Sequence, residues 1–433
     1  MKYKKYPSYK DSGIEWLGEI PENWKLLKNR HIFKPKDKVL NDKEDMTVLS
    51  LTTNGVKVKR NLSFGKSTES YIGHQMVYPE NLVFTPRDFD QTPILSGVSK
   101  YKGCISNLYI VLETNSKAYN YFVNYYWWGL KYKVNYFKNF SYGIRFSYNF
   151  DQFKEIPFLQ PPIQEQQQIA NFLDKTTAKI DTLIEKQTKL IEILKEKRQA
   201  VISHAVTKGI NPNAKMKDSG VEWLGEIPEH WEIPKIKYIA KTDSGGTPTS
   251  SMREEYYTNG MYPWIRTTDL NNSELFTTPI KITQRAIMDT ACNIIKEGSV
   301  LIGMYGGAGT IGKHSLLRFT ATINQAVCSI TPSHKMISEY LHYFIEFYRP
   351  FWMIGAMGTR KDPNIGQDTI NNRHIINPPL EEQEQIVNYL DNKTSKMDKL
   401  IEKANKSIEL LKEKRTALIS AAVTGKIDVR ELV

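Results

Sequence analysis

Leu173, Ile180, Gln187, Leu194 and Val201 recur every seven residues, and Thr177, Ile184, Ile191, Arg198 and Ala205 follow each of them by four. This is the seam of a coiled coil, one stripe of positions turned toward a partner helix. The pattern returns with Leu390, Met397, Ala404, Leu411 and Leu418, followed by Thr394, Ile401, Ile408, Arg415 and Ala422. Both stretches open on tandem prolines, Pro161 and Pro378, carry Glu165 or Glu382 in the first turn, and meet Gly209 or Gly425 near their stops. Those are helix start and stop signals, and nothing between them breaks a helix. The spacing therefore predicts two rods of about forty residues, roughly 60 Å each at 1.5 Å per residue. The economical partner for each rod is the other, and the long insert between them permits an antiparallel pairing; homodimerisation through either rod is the alternative. Gln187, Arg198 and Arg415, polar on the seam, would set its register.

The rods belong to a larger repeat. KDSGIEWLGEIPENW, residues 10–24, returns at 217–231 as KDSGVEWLGEIPEHW, with only Ile14/Val221 and Asn23/His230 differing. The offset is 207 at this phrase and 217 at the tandem prolines, so the second middle is ten residues longer. A tandem duplication thus holds two divergent middles in a near-constant frame. The segments are an N-terminal constant segment 1–24, a first variable domain 25–160, a central constant helix 161–209, a linker with the repeated phrase 210–231, a second variable domain 232–377 and a C-terminal constant helix 378–433. Trp16, Pro21 and Trp24, with Trp223, Pro228 and Trp231, are the expected anchors of each variable domain on the frame. Both middles mix short β-type runs, MTVLSLTT and SVLIGMY, with helical stretches such as KMISEYLHYFIEFY, so each reads as a small α+β domain.

Composition narrows the function. With 433 residues and 40% apolar content, the chain has room for two or three cored domains. Cys104, Cys292 and Cys328 are too scattered for a disulfide framework or a zinc site and read as core thiols of a cytoplasmic protein. No apolar run approaches the roughly 18 residues of a membrane span. The net charge of +12 favours a polyanionic partner. Residues 25–160 hold 20 Lys plus Arg against 11 Asp plus Glu, and 232–377 hold 15 against 12, so the first domain is the more basic. Its stretch 121–150 packs fourteen aromatics among Lys131, Lys133, Lys138 and Arg145. That mixture suits base stacking and phosphate contact, although Tyr125, Trp128 and Tyr132 also have the spacing of a core-facing helix.

Two motifs resemble catalytic ones. GAGTIGKH, 307–314, has the glycine and lysine spacing of a phosphate loop, but His314 stands where a magnesium-binding hydroxyl belongs and β-type alternation follows instead of a helix. It reads as a glycine-rich turn. NPPL, 377–380, lacks the aromatic that would stack on a flipped base, and its counterpart QPPI likewise leads into a helix, so both read as helix starts. No catalytic constellation or metal-ligand cluster stands out.

An I-P-x-x-W phrase, a variable domain and a P-P-x-x-E-Q helix ending in K-x-K-R, all given twice, resemble the specificity subunit of a type I restriction-modification system over the full chain. The marks are IPENW 20–24, IPEHW 227–231, PPIQEQ 161–166 and PPLEEQ 378–383, joined by SGGTPTS 244–250 and WIRTTDL 264–270 in the second domain. The first domain has no clear equivalent of SGGTPTS. The resemblance implies two α+β target-recognition domains in pseudo-symmetric tandem repeat, separated by two long helices forming an antiparallel coiled coil. Each domain would read one half of a bipartite double-stranded DNA target, while the helices set the spacer and dock two methyltransferase subunits. S-adenosylmethionine and ATP with magnesium would be bound by partner subunits, restriction and translocase subunits among them, and none by this chain. Expected DNA contacts are Arg87, Gln91, Lys100 and Arg145 in the first domain and Arg266, Thr267, Lys313, His314, Arg360 and Lys361 in the second, since Arg and Gln reach base edges and Lys suits phosphate. The alternative is a coiled-coil scaffold whose two heads bind proteins.

Overall fold

The computed structural model describes residues 3–35, 38–60, 70–86, 94–134, 150–305, 309–356 and 364–432. The chain makes two compact units, one from Met1–Thr188 with Ala404–Val433 and one from Lys189–Lys403. Each unit owns half of each long helix. The central helix runs Ile163–Lys208 and the C-terminal helix Leu380–Val423, so 46 and 44 residues give about 65–70 Å each.

In the first unit Arg415 Nε donates to Asp181 Oδ1 at 2.9 Å, and in the second Arg198 Nε lies 3.2 Å from Asp398 Oδ1. Moving seventeen residues forward on one helix thus moves the partner seventeen back, which is an antiparallel coiled coil. Between Asp181 and Ala200 only Ile184, Gln187, Ile191, Leu194 and Arg198 are not exposed. Between Asp391 and Ala417 the same holds for Thr394, Met397, Ile401, Ala404, Ile408, Leu411 and Arg415, with Ser407 and Thr416 beside them. The seam is one row wide here, so it buries little area. Closer to the ends the helices widen their buried faces against the domains, where Leu173, Ile180 and Leu390 are enclosed.

The two domains are built on one sheet. In the first unit the strand order is Phe33–Pro35, Ile110–Thr114, Leu82–Phe84, Ser96–Val98, all antiparallel. In the second it is Ala240–Ser244, Val327–Pro332, Val300–Gly303, His314–Leu317, with Glu274–Leu275 added in parallel at the edge. Register makes the match residue by residue. Leu112 pairs with Pro35 and Leu82, and Leu82 with Val98; Ile330 pairs with Thr242 and Val300, and Val300 with Leu316. Pro35 and Thr242 are 207 apart, whereas Leu82 and Val300, Val98 and Leu316, and Leu112 and Ile330 are each 218 apart. The ten-residue growth seen in the sequence is therefore eleven residues gained between the first two sheet strands and one lost before the long helix. The gained stretch helps build a second small sheet, in the order Lys281–Ile282, Tyr262–Ile265, Ala321–Ile323, Ile294–Ile295.

One helix crosses each main sheet, Asn120–Val134 in the first domain and Ser338–Ala356 in the second. The first places Phe122, Tyr126, Trp127 and Leu130 in the core, with Tyr125 and Trp128 half-buried, so its described aromatics are mainly packing; the side chain of Tyr132 lies outside the described residues. The core of the first unit also takes Leu173 of one long helix and Leu418, Ile419 and Ala422 of the other. Cys104, Cys292 and Cys328 are buried free thiols.

The repeated phrase closes each unit. Trp24 is fully buried, and its Nε1 donates to Glu165 Oε1 at 2.9 Å; Trp231 Nε1 donates to Glu382 Oε2 at 3.0 Å. Each indole also covers the end of the other helix, where a Cβ on Gly425 would come within 2.4 Å of Pro21 and one on Gly209 within 3.1 Å of Trp231. Both glycines have positive φ, +70° and +76°, the left-handed stop that other residues resist. Hydrogen bonds to a charged, desolvated acceptor are worth about 1.5–3 kcal/mol, and Glu165 is only 4% exposed. Trp24→Phe should therefore destabilise the protein by about 2–3 kcal/mol. Trp231→Phe should cost less, since Glu382 retains partial contact with water. Urea denaturation of both variants checks the order; equal losses would place the contribution in ring packing instead.

Candidate functional site

Each long helix begins with a polar socket made by one glutamine. Gln166 Nε2 donates to the carbonyl oxygens of Pro161 at 2.8 Å and Lys117 at 2.9 Å, and its Oε1 accepts from Tyr119 N at 2.8 Å. Gln383 repeats this with Pro378 O at 2.8 Å, Lys335 O at 3.1 Å and Ile337 N at 2.8 Å. Both glutamines are fully buried, so every bond matters. About two turns on, Tyr125 OH donates to Asp174 Oδ1 and Tyr343 OH to Asp391 Oδ1, each at 2.6 Å. NPPL is thus a helix start, with Asn377 Oδ1 accepting from Gln383 Nε2 at 3.1 Å.

Of the expected DNA contacts, Lys100, Arg266, Thr267, Lys313 and His314 are among the described residues. Arg87, Gln91, Arg145, Arg360 and Lys361 lie outside the described residues. Lys100 is exposed just beyond the last strand of the first sheet. Arg266 and Thr267 leave the smaller sheet of the second domain, half-exposed, and Arg266 is tied to Asp269 through Nε at 3.2 Å and Nη2 at 3.1 Å. Lys313 sits half-buried in the turn that enters the larger sheet. In the described part of GAGTIGKH, Gly309 and Gly312 have φ +86° and +71°, and the strand His314–Leu317 follows. A phosphate loop would need a helix there, so this is the glycine-rich turn.

His314 requires a correction. It is fully buried, its Nδ1 facing Gly312 O at 3.3 Å, and it cannot touch DNA from the core. The strand alternation that places Ser315 beside Asn271 turns the imidazole inward.

Among the described residues no helix is long and apolar enough to cross a membrane, and no group of three or more His, Cys, Asp or Glu could hold a metal ion. Two domains of one sheet topology, each locked to the same helix frame, are what a family with two copies of one module would show. The family model described as type I restriction modification DNA specificity domain matches residues 21–194 and again 228–410. The chain belongs to this family. It is 26% identical over 340 residues to the type I restriction enzyme MjaVIII specificity subunit of Methanocaldococcus jannaschii, spanning 76% of each chain. It is also 29% identical over 194 residues to the MjaIX specificity subunit of the same organism, spanning 44% of this chain and 43% of that one. A chain from a solved structure concerned with assembly and conformational transition of the type I R-M system shares the fold, with a TM-score of 0.69 at 14% identity over 93% of this chain and 98% of that one.

Within the second specificity domain, His314 faces His342 with ring centroids 5.1 Å apart, and Nε2 of both is buried without a hydrogen-bond partner in the described structure. The matching positions in the first specificity domain, 218 residues earlier, are Ser96 and Asn124, which hydrogen-bond at 2.9 Å. Burial pushes the His314 imidazole down to about 4, and burial together with the cationic neighbours Arg198 and Arg318 pushes His342 down to about 3. Both stay neutral in the folded protein, whereas the unfolded chain binds protons near pH 6.5. The unfolded state therefore holds more protons between about pH 6.5 and 4, and stability falls as pH falls through that window. At pH 5 the loss should be on the order of 2 kcal/mol per histidine. Installing the first domain's pair, His314→Ser with His342→Asn, should flatten this dependence. Urea denaturation at pH 7.5 and 5.0 measures it, and an unchanged difference between the two pH values would show that the pair is not the source.

Proposed function

We propose that this chain chooses the DNA sequence on which a type I restriction-modification complex acts. Each specificity domain reads one half of a bipartite double-stranded target, and the coiled coil sets the spacer and docks two methyltransferase subunits. Methyl transfer and ATP hydrolysis belong to those partners and to any restriction or translocase subunits, which hold S-adenosylmethionine and ATP with magnesium; the chain itself is not a catalyst. The assembly works in the cytoplasm. The observation that carries the reading is that the two domains keep one sheet register and one set of joints while the side chains on the sheet and on the helix against it diverge, as Ser96 and Asn124 against His314 and His342. A frame that repeats while its contents differ is what two readers of different half-sites need. The net charge of +12 supplies the sequence-independent attraction to DNA.

Exchanging residues 25–160 for the corresponding domain of a relative should change one half of the methylated sequence and leave the other intact. Methylome sequencing of cells carrying the exchange reads this directly; a change in both halves, or in neither, would refute one domain per half-site. The spacer is tested separately. Adding one heptad after Leu194 and another after Leu411 keeps the seam in phase and lengthens each helix by about 10.5 Å. The gap between half-sites should then grow by at most about three base pairs at 3.4 Å each. An active complex that keeps the original gap would show that the helices do not measure it.

A further inference from the structure

In the first unit a cleft of about 950 Å³ opens between the first specificity domain and the helix pair, and Lys100, Tyr121, Trp128, Asp181, Lys412 and Arg415 are among its walls. The sheet and helix correspondences identify what stands in the same places in the second unit. Lys100 and Arg318 correspond, as do Tyr121 and Glu339, Trp128 and Glu346, Asp181 and Asp398, and Arg415 and Arg198.

In the second unit Arg318 and Arg198 are met by carboxylates, while Lys195, which stands where Lys412 does, is exposed and its side chain pairs with no described residue. Arg318 donates through Nη1 to Glu339 Oε1 at 2.7 Å and through Nε to Glu274 Oε1 at 2.8 Å. Arg198 lies between Glu346 and Asp398. Glu339 and Glu346 both come from the helix that crosses the second domain's sheet, so that domain closes its own row of charges. The first unit keeps the cations and loses those acids. Arg415 still holds Asp181, but the domain helix presents Trp128 instead of a glutamate. Beside Lys100 it presents Tyr121, whose hydroxyl donates to Glu80 at 2.9 Å and leaves that acid engaged. The side chains of Lys100 and Lys412 make no hydrogen bond or ion pair with any described residue. Two ammonium groups and the outer side of one guanidinium thus line a space whose counterpart is occupied by two carboxylates seven helix positions apart, about 10 Å.

We propose that this cleft receives an acidic segment of one methyltransferase subunit, whose carboxylates take the places that Glu339 and Glu346 fill in the second unit. The proposal rests on the reading that methyltransferase subunits dock on this chain. Carboxylate, more than phosphate, is the chemistry the repeat itself places against these cations. Because the second unit satisfies Arg318 and Arg198 internally, with Glu339 and Glu346 filling the space beside them, only one of the two partner copies makes this contact, and the two copies bind unequally.

The test uses the full-length chain with its cognate methyltransferase subunit, counting bound copies by mass photometry and affinities by calorimetry. Lys100→Glu with Lys412→Glu should weaken one of the two copies at least tenfold and leave the other unchanged. Tyr121→Glu, which supplies the missing acid from within, should do the same by filling the site. Urea denaturation confirms that the variants are folded. If both copies bind all variants as they bind the wild type, the proposal is overturned. It is equally overturned if copy number holds while DNA affinity falls with a shallower salt dependence, which would make the cleft a phosphate site. Should the wild-type chain bind no methyltransferase copy at all, docking itself fails and takes the proposal with it, an outcome the unmutated control separates from the others.

Discussion

An indole N–H given to a carboxylate at a helix start holds each half of this chain together. Trp24 with Glu165 and Trp231 with Glu382 join three parts that are distant in sequence: the repeated phrase, the start of one long helix and the end of the other. The glutamate serves two purposes at once. It complements the helix dipole in the first turn and, once buried, must find donors, which the phrase supplies. Even one of the phrase's two variable letters obeys this need, since Asn23 Nδ2 lies 3.3 Å from Glu165 Oε2 and His230 Nε2 faces Glu382 Oε1. The positive-φ glycines at the helix ends follow from the same joint, because a side chain there would meet the proline and the indole it packs under.

The joint also explains why so narrow a coiled coil suffices. In its middle the pair buries a single row of side chains, and Gln187, Arg198 and Arg415 dilute even that. Arg198 and Arg415 each bond an aspartate of the facing helix, which fixes register at two of the places where the seam is polar. Most of the buried surface of each helix lies at its ends, under a domain core that reaches both helices.

This distribution decides what the sequence can reveal. Heptads, tandem prolines and the repeated phrase are local patterns with fixed spacing, so the rods, their partnership and the anchoring tryptophans were readable before any coordinates. The common sheet was not, because ladder hydrogen bonds join backbones and leave side chains free to diverge: Leu82 with Leu112 and Val300 with Ile330 hold equivalent places among unlike neighbours. His314 misled for a related reason. Next to a lysine after a glycine-rich turn it looked like a surface contact, yet it starts a strand buried on both faces, where polarity says nothing about direction. The acids missing from the first unit have no local signature either, since only the sheet register aligns Tyr121 with Glu339 and Trp128 with Glu346. Base-reading residues leave no such spacing, since a contact to a base edge depends on where a loop ends in space and not on its neighbours in sequence.

The glutamine sockets show how the frame tolerates contents so different. Gln166 and Gln383 each bond one carbonyl oxygen and one amide N–H of the domain they hold, together with a proline carbonyl of their own helix start, and Gln383 adds the side chain of Asn377. A side-chain amide that recognises backbone is indifferent to which residues carry that backbone. Tyr125 and Tyr343, which bond Asp174 and Asp391, are the domain side chains that the helix starts do require. A domain therefore fits the frame if its helix enters at the right height, one turn before such a tyrosine, whatever its sheet displays on the other face. The constraint on an insert is thus geometric and short, a few backbone positions and one hydroxyl, which leaves nearly all of its surface free to vary with the sequence it must read.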